Sequence, residues 1–228
     1  MAKSDVQGFD ISAKSAALIG CGGLGCNIAV HLAGAGIGTL YICDFDTVSE
    51  NNLNRQFLYT VSDVGSKKTQ VMRARLNAYA PECAIKIADK RIENAYDLDF
   101  AEKCDIIILA VDNISARKAV QEFCFGKNIP FVNGGINGYY GVSYLCIPGK
   151  TPCLDCAGLT AADNVKELSV SAAAGVEGAH CACLAQRYLC GDTENAGKLF
   201  VFDNGEITLL TIKRGGSCRF CSPQNSER

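Results

Sequence analysis

The chain has 228 residues, and 22 Lys and Arg against 24 Asp and Glu give a formal net charge of -2. Because there is no basic excess, we expect no nucleic acid partner. Hydrophobic residues make up 48% of the chain, which is typical of a globular protein, but the apolar runs are shorter than the roughly 20 residues of a membrane-spanning helix, so we expect no membrane association.

The first two thirds of the sequence alternate strand and helix patterns. Strands are predicted at Ser15–Ile19, Thr39–Cys43, Ala84–Ala88, 106–111 and 129–133, and helices from Gly25 to about Ala35, from Ser66, as the N-cap, to about Tyr79, and over 115–125. This order predicts an α/β fold with a doubly wound, Rossmann-like and mostly parallel sheet.

The last third has a different pattern. It predicts a strand at 139–147, a loop or crossover at 160–178, where Ala and Ser are frequent, and a helix at 179–190. The Asn204-Gly205 pair between two apolar runs predicts an antiparallel hairpin of strands 199–203 and 206–212.

A glycine-rich turn links the first strand to the first helix. Gly20, Gly22 and Gly25 match the GxGxxG pattern, and Asp44 follows 19 residues after Gly25, at the end of the second strand. Such a turn lets a phosphate approach the helix N-terminus, and the acid can accept hydrogen bonds from a ribose. The pattern favours nucleotide binding, to NAD and ATP alike, over a turn that only allows close helix–strand packing.

Polar side chains after the second strand favour a triphosphate. Asn52, Arg55 and Gln56 can donate several hydrogen bonds to phosphate oxygens, and Lys68, at the start of the next helix, adds a compact positive charge. Lys67 competes with Lys68 for that role. The alternative is a solvated loop with ordinary surface charges.

Asp112 ends the most apolar strand of the chain. Ligands of open α/β sheets bind outside the carboxyl ends of the strands, so we expect the glycine turn, Asp44, Asp112 and Asn133-Gly134-Gly135 to line one crevice. A carboxylate there can hold Mg²⁺ against phosphate oxygens. The alternative is an N-cap of the following helix, for which Ser115 is better placed.

Four of the 14 cysteines form two CxxC pairs, Cys153/Cys156 and Cys218/Cys221. Four thiolates predict a structural Zn²⁺ site with no open position, in preference to redox dithiols. The other cysteines are scattered singly through the chain and, without a signal segment, indicate buried thiols in a reducing cytoplasm.

The stretch from Ile19 to Lys68, with Asp112 and both CxxC pairs, resembles the ThiF/MoeB/HesA family, the bacterial relatives of ubiquitin-activating enzymes. The matching residues are Gly20-x-Gly22-Gly23-Leu24-Gly25, Ala33-Gly34-Ala35-Gly36-Ile37-Gly38, Asp44-x-Asp46-x-Val48, Asn52-Leu53-x-Arg55-Gln56, Gly65-x-x-Lys68, Asp112-Asn113 and Arg117. The resemblance implies an ATP-dependent adenylyltransferase that activates the C-terminal carboxylate of a ubiquitin-like sulfur-carrier protein or peptide and releases pyrophosphate.

The resemblance also implies roles for individual residues. The glycine turn, including Gly23, with Asp44 and Asp46 would bind the nucleotide, with Asp44 at the ribose. Asn52, Gln56 and the catalytic Arg55 and Lys68 would contact the triphosphate, and catalytic Asp112 would engage Mg²⁺. On this interpretation, residues 1–150 are a Rossmann-like ATP-binding part, and residues 151–228 carry the crossover, hairpin and zinc site within one continuous domain.

Two features depart from the family pattern. Ser171 stands at the usual cysteine position of the sulfur-transferring members, with Cys181 and Cys183 nearby, which we expect to share one packed helix face. The family's homodimers often extend a leading arginine to the partner's ATP, and no arginine precedes the first strand here. We therefore expect adenylation without obligatory thiol transfer, in a chain for which the resemblance still implies a homodimer.

Three other functions remain open at this point. The same activation could serve dehydration or amide formation on another substrate. The chain could be an NAD-binding oxidoreductase, which Arg55, Gln56 and Lys68 argue against. It could also be a weakly active partner subunit, which the retained Arg55, Lys68 and Asp112 argue against.

Overall fold

The computed structural model describes residues 9–161 and 169–221. In this part of the chain, eight strands form one mixed sheet. They are β1 (Ser15–Ile19), β2 (Thr39–Cys43), β3 (Ala84–Ala88), β4 (Ile106–Leu109), β5 (Phe131–Asn137), β6 (Tyr140–Cys146), β7 (Lys198–Asp203) and β8 (Glu206–Thr211). Their order across the sheet is β3-β2-β1-β4-β5-β6-β7-β8. The first five strands pair in parallel and the last three antiparallel, which confirms the predicted fold class.

Helices cover both faces of the sheet, and this arrangement explains why β1 and β4 are apolar on both sides. The helices are α1 (Gly23–Gly34), α2 (Lys68–Tyr79), α3 (Ile114–Lys127) and α4 (Ser171–Leu189). Side chains of α1, α2 and α4 share one core with Leu18 of β1, whereas those of α3 share the other core with its neighbour Ile19. None of the described helices is both long enough and apolar enough to cross a bilayer.

The loop predicted over 160–178 is wrong for its last eight residues, because α4 begins at Ser171. Residues 162–168 of that prediction lie outside the described part. The helix has no clear apolar period at its start because small residues form its packed face. A Cβ on Gly178 would lie 2.4 Å from the Cβ of Asn27, so α4 packs on α1 at a distance that only glycine permits.

Two helix starts also differ from the prediction. The N-cap of α2 is Lys67, not Ser66. The N-cap of α3 is Asn113, not Ser115, and Asn113 Oδ1 accepts a hydrogen bond from the amide of Ala116 at 2.8 Å. Asn113 thereby excludes the N-cap alternative for Asp112.

The hairpin between β7 and β8 confirms the Asn-Gly prediction. Asn204 and Gly205 have φ angles of 48° and 97°. Both residues of the turn thus lie in the left-handed region, which asparagine and glycine adopt most readily.

Candidate active site

The glycine turn packs closely on the end of β4. Gly20 has a φ of 102°, and a Cβ on it would lie 2.4 Å from the carbonyl oxygen of Ala110. A Cβ on Gly25 would lie 2.0 Å from the carbonyl oxygen of Gly20. Among the described residues no side chain caps α1, and its first turn carries no acid. The amides there are therefore oriented to receive an anion at the carboxyl ends of the strands.

Asp44 is bonded to the backbone of this turn. Its Oδ2 accepts a hydrogen bond from the amide of Cys21 at 2.7 Å, and its Oδ1 accepts one from the amide of Asp46 at 2.8 Å. The side chain thus lies beside the glycine turn, as the sequence predicts, and each oxygen keeps a lone pair for a further donor. Contact with a ribose stays a prediction.

The side chains of Arg55 and Gln56 also reach the glycine turn. A Cβ on Gly23 would lie 3.1 Å from Arg55 Cγ, and one on Gly22 would lie 3.7 Å from Gln56 Nε2. Asn52 holds both side chains, since its Oδ1 accepts hydrogen bonds from Arg55 Nη2 at 3.1 Å and from Gln56 Nε2 at 3.2 Å.

Gln56 is 3% exposed, and its Oε1 has no hydrogen-bond partner among the described residues. An unpartnered buried oxygen of this kind is costly unless a ligand or water supplies a donor. Gln56 therefore fits a binding site better than the solvated loop that was the alternative.

Lys68 and Lys67 point in different directions. Lys68 is only 5% exposed, and its Nζ lies 3.0 Å from Asp46 Oδ2. Lys67 is exposed, and its Nζ donates to the carbonyl oxygen of Phe45 at 2.7 Å. The direction of the side chain therefore favours Lys68 as the lysine of the site.

Asp112 is exposed where the chain leaves β4. The prediction that Asn133-Gly134-Gly135 follows a strand is wrong, because these residues lie inside β5 and are buried. Gly135 faces Arg117, and Gly134 faces Leu24 and Cys181. Asn133 is fully buried, and neither of its amide atoms has a hydrogen-bond partner in the described part of the chain.

Tyr59 is a residue of this region that the sequence patterns did not identify. It is 4% exposed, and its hydroxyl donates to the carbonyl oxygen of Cys21 at 2.8 Å. Burial raises the pKa of this phenol, so it stays protonated and remains a donor. A tyrosine shortly after a polar segment is a weak sequence signal for a functional residue. Its burial and its hydrogen bond to Cys21 show that it connects the Asn52–Gln56 segment to the glycine turn.

The four cysteines of the CxxC pairs come together. Their sulfur atoms all lie within 4.8 Å of one another. Cys153 Sγ is 3.3 Å from Cys218 Sγ, and Cys156 Sγ is 3.5 Å from Cys221 Sγ. These contacts join one cysteine of each motif to one of the other, which fits a four-thiolate metal site better than two separate dithiols.

The cysteines of α4 do not share one face, so that expectation is wrong. Cys181 is buried and Cys183 is exposed, because residues two apart on a helix face different directions. Burial raises the pKa of the Cys181 thiol well above its usual value, which makes it a poor nucleophile. Ser171, the first residue of α4, is exposed.

The chain is similar to known adenylyltransferases along almost its whole length. The ThiF family model matches residues 5–219. The sulfur carrier protein ThiS adenylyltransferase of Escherichia coli K12 is 30% identical over 217 residues, which cover 92% of this chain and 86% of that protein. The molybdopterin-synthase adenylyltransferase of the same organism is 28% identical over 230 residues, which cover 95% and 92%.

The SUMO-activating enzyme subunit uba-2 of Caenorhabditis elegans is 34% identical over 140 residues, but the match covers only 24% of that subunit. Among solved structures, E. coli MccB with ATP has a TM-score of 0.84 and 25% identity. That match covers 93% of this chain and 68% of MccB.

Proposed function

The chain belongs to the ThiF family, and we propose that it joins AMP to the C-terminal carboxylate of a ubiquitin-like sulfur-carrier protein or of a peptide. It is an adenylyltransferase that uses ATP to activate a carboxylate. The two E. coli relatives that match almost along their whole length are named for ThiS and for molybdopterin synthase, which supports a sulfur carrier as the substrate. The similar enzyme MccB was solved together with AMPCPP and MccA, which supports a peptide as the alternative substrate.

The observation that carries the proposal is the approach of Arg55 and Gln56 to Gly22 and Gly23 at the start of α1. The stem of Arg55 and the side-chain amide of Gln56 lie beside the open amides of α1, and Arg55 Nη2 shares the acceptor Asn52 Oδ1 with Gln56 Nε2, in a chain with a net charge of -2. Such a local concentration of donors suits a polyphosphate.

In the proposed reaction, a carboxylate oxygen forms a bond to the α-phosphorus of ATP. The bond from that phosphorus to the bridging oxygen of the leaving group breaks, and pyrophosphate departs with the electron pair. Because two anions must come together, positioning and charge neutralisation supply most of the catalysis.

We assign Arg55, Gln56 and Asn52 to the triphosphate and Lys68 to the same group from the start of α2. Asp44 would meet the ribose. A Mg²⁺ ion, when bound, supplies further positive charge to the phosphate oxygens, and the exposed carboxylate of Asp112 is the residue we assign to it. Cys153, Cys156, Cys218 and Cys221 would hold a structural Zn²⁺.

We further propose that the acyl adenylate passes to its acceptor without a covalent intermediate on α4. Ser171 lacks the thiol that the resemblance leads one to expect, and a hydroxyl is a poor nucleophile at neutral pH. Cys181 is buried on the side of α4 that faces Gly134 of β5. Detection of a thioester or persulfide on Cys181 or Cys183 during turnover would contradict this part of the proposal.

The test is carboxylate-dependent exchange of radioactive pyrophosphate into ATP. Sulfur-carrier proteins ending in Gly-Gly are compared with the same carriers bearing a C-terminal amide, which cannot be adenylated. Exchange with the free acid alone supports the proposal. Absence of exchange with every carrier and peptide, or binding of NAD in place of ATP, would contradict it.

Variants test the assigned residues in the same assay. Arg55→Ala and Asp112→Ala should each lower exchange by about 10²–10³-fold, the usual cost of losing one group that stabilises transition-state charge. Lys67→Ala is the matched control, since Lys67 is exposed and its Nζ donates to the carbonyl oxygen of Phe45 and not to Asp46. Near-normal exchange in Arg55→Ala or in Asp112→Ala would remove that residue from the mechanism.

A further inference from the structure

A continuous series of hydrogen bonds connects the glycine turn to Lys68. The amide of Cys21 donates to Asp44 Oδ2 at 2.7 Å, and the amide of Asp46 donates to Asp44 Oδ1 at 2.8 Å. Lys68 Nζ in turn donates to Asp46 Oδ2 at 3.0 Å, and the amide of Lys68 donates to the carbonyl oxygen of Asp46 at 3.2 Å. Asp46 therefore contacts Lys68 through both its backbone and its side chain.

The local backbone explains why Lys68, and not its neighbour, takes part. Thr47 and Lys67 form an antiparallel bridge, and the amide of Val48 donates to the carbonyl oxygen of Ser66 at 2.8 Å. This pairing aligns the segment after β2 with the start of α2. The side chain of Lys68 then turns inward, whereas that of Lys67 stays at the surface.

The two members of the ion pair differ in exposure. The side chain of Lys68 is 7% exposed and that of Asp46 is 47% exposed. A buried ammonium needs a partner, and Asp46 is the carboxylate that lies within ion-pair distance of it in the described residues. The lysine stem is flexible, so removal of that partner frees the ammonium to leave its position.

We infer that Asp46 is a positioning residue that holds the Lys68 ammonium in place relative to the glycine turn, and not a ligand of the nucleotide. This inference rests on the proposed function, in which Lys68 contacts the triphosphate. An ammonium has three N–H donors. The bond to Asp46 uses one of them and leaves the other two for phosphate oxygens.

Asp44 and Asp46 have different roles, although they lie in one sequence motif. Both oxygens of Asp44 accept backbone hydrogen bonds, which fixes the turn. The side chain of Asp46 is directed at Lys68 instead. A nucleotide ligand at position 46 would bring a carboxylate against the triphosphate, whereas an Asp46 paired with Lys68 carries a compensated charge.

The experiment is a double-mutant cycle of Asp46→Asn and Lys68→Ala, measured by pyrophosphate exchange in the full chain. A positioning role predicts that Asp46→Asn lowers kcat by about 10²-fold, the cost of a misplaced group, with little change in KM for ATP. It also predicts no further loss when Asp46→Asn is added to Lys68→Ala. Asp46→Glu, which keeps the charge, should recover part of the activity.

A raised KM for ATP with unchanged kcat, or losses that add in the double variant, would make Asp46 a nucleotide ligand and overturn the inference. A crystal structure of the Asp46→Asn variant gives a readout that does not require turnover. We expect Lys68 Nζ to leave its position beside residue 46, and an unmoved Nζ would count against the inference.

Absence of exchange in the wild-type chain would refute the proposed function instead, and the crystal structure of the Asp46→Asn variant would still decide the role of Asp46. Should Asp46→Asn fail to fold, Asp46→Ser serves in both measurements.

Discussion

The carboxyl group of Glu177 on α4 lies directly against Gly141 of β6, with Oε2 only 2.8 Å from the position of a Cβ on residue 141. Glu177 is fully buried, and neither of its carboxyl oxygens has a hydrogen-bond partner among the described residues. Beside it, Ser143 Oγ lies 2.7 Å from His180 Nδ1, and the His180 ring stacks on Phe200. Burial raises the pKa of the Glu177 carboxyl to about 7.

This burial predicts that the free energy of unfolding falls as the pH rises from about 5 to 8. At pH 5 the folded chain keeps a proton on Glu177 that the unfolded chain has lost, since a free glutamate titrates near pH 4.3, and the folded chain loses it as the pH rises through about 7. The loss should approach about 3 kcal/mol when complete. Urea unfolding of Glu177→Gln and of the wild type at each pH tests this. The variant should gain stability relative to the wild type as the pH rises.

The comparison between the two chains cancels the other titrating groups. Burial lowers the pKa of His180, and this shift makes the free energy of unfolding rise with pH near pH 6. The shift is present in both chains. A difference in stability between Glu177→Gln and the wild type that stays constant from pH 5 to 8 would show that Glu177 is ionised in the folded protein.

The same contact predicts that Gly141→Ala destabilises the fold by about 1–3 kcal/mol, because the added methyl group overlaps the Glu177 side chain. The measurement is chemical unfolding of Gly141→Ala, Glu177→Ala and the double variant. Truncation of Glu177 to Ala removes the carboxyl group and Cγ and leaves only its Cβ, 3.3 Å away, so the loss in the double variant should be smaller than the sum of the two single losses. Additive losses would mean that some other contact limits residue 141.

Substitution by alanine should lower the stability of the protein at Gly25 but not at Gly22. In Gly25→Ala the methyl group would lie 2.0 Å from the carbonyl oxygen of Gly20, and this backbone contact cannot be relieved by a side-chain rotation. In Gly22→Ala the nearest atom is Gln56 Nε2 at 3.7 Å, which is an ordinary contact. Thermal unfolding should show a loss of about 1–3 kcal/mol for Gly25→Ala and near-wild-type stability for Gly22→Ala. Equal losses would contradict this account of the turn.

The sequence predicted three strands to the residue and placed the end of the most apolar strand, β4, two residues too late. The bounds of β1, β2 and β3 match their predictions residue for residue. The start of α4 could not be found in this way, because its buried residues there are the small Ala173, Ala174 and Gly178 and the acidic Glu177, which give no apolar period. What defines that helix is close contact with α1, which is a tertiary effect.

The candidate site shows the same limit. The glycine turn and the Asn52–Gln56 segment were predicted because spacing within one stretch of chain carries the signal. The pairing of Asp46 with Lys68 was not, because it depends on the antiparallel bridge between Thr47 and Lys67, which brings the start of α2 back to the segment after β2. The burial of Asn133 was likewise not predicted, because β5 continues to Asn137, four residues beyond the predicted end of the strand.

Zinc should bind the chain at about one ion per molecule and should stabilise it, because four cysteine sulfurs already lie within 4.8 Å of one another. The amide of Gly215 also donates to Cys156 Sγ at 3.2 Å, a contact that supports a thiolate. Cys153→Ser should lose the metal and unfold at a lower temperature, whereas Cys183→Ser, which removes an exposed single cysteine, should retain both metal and stability. Metal analysis with thermal unfolding, before and after chelation, is the measurement. Purified chain that lacks zinc and gains no stability on its addition would rule out a structural zinc site, and the tie between residues 153–156 and 218–221 would then rest on packing alone.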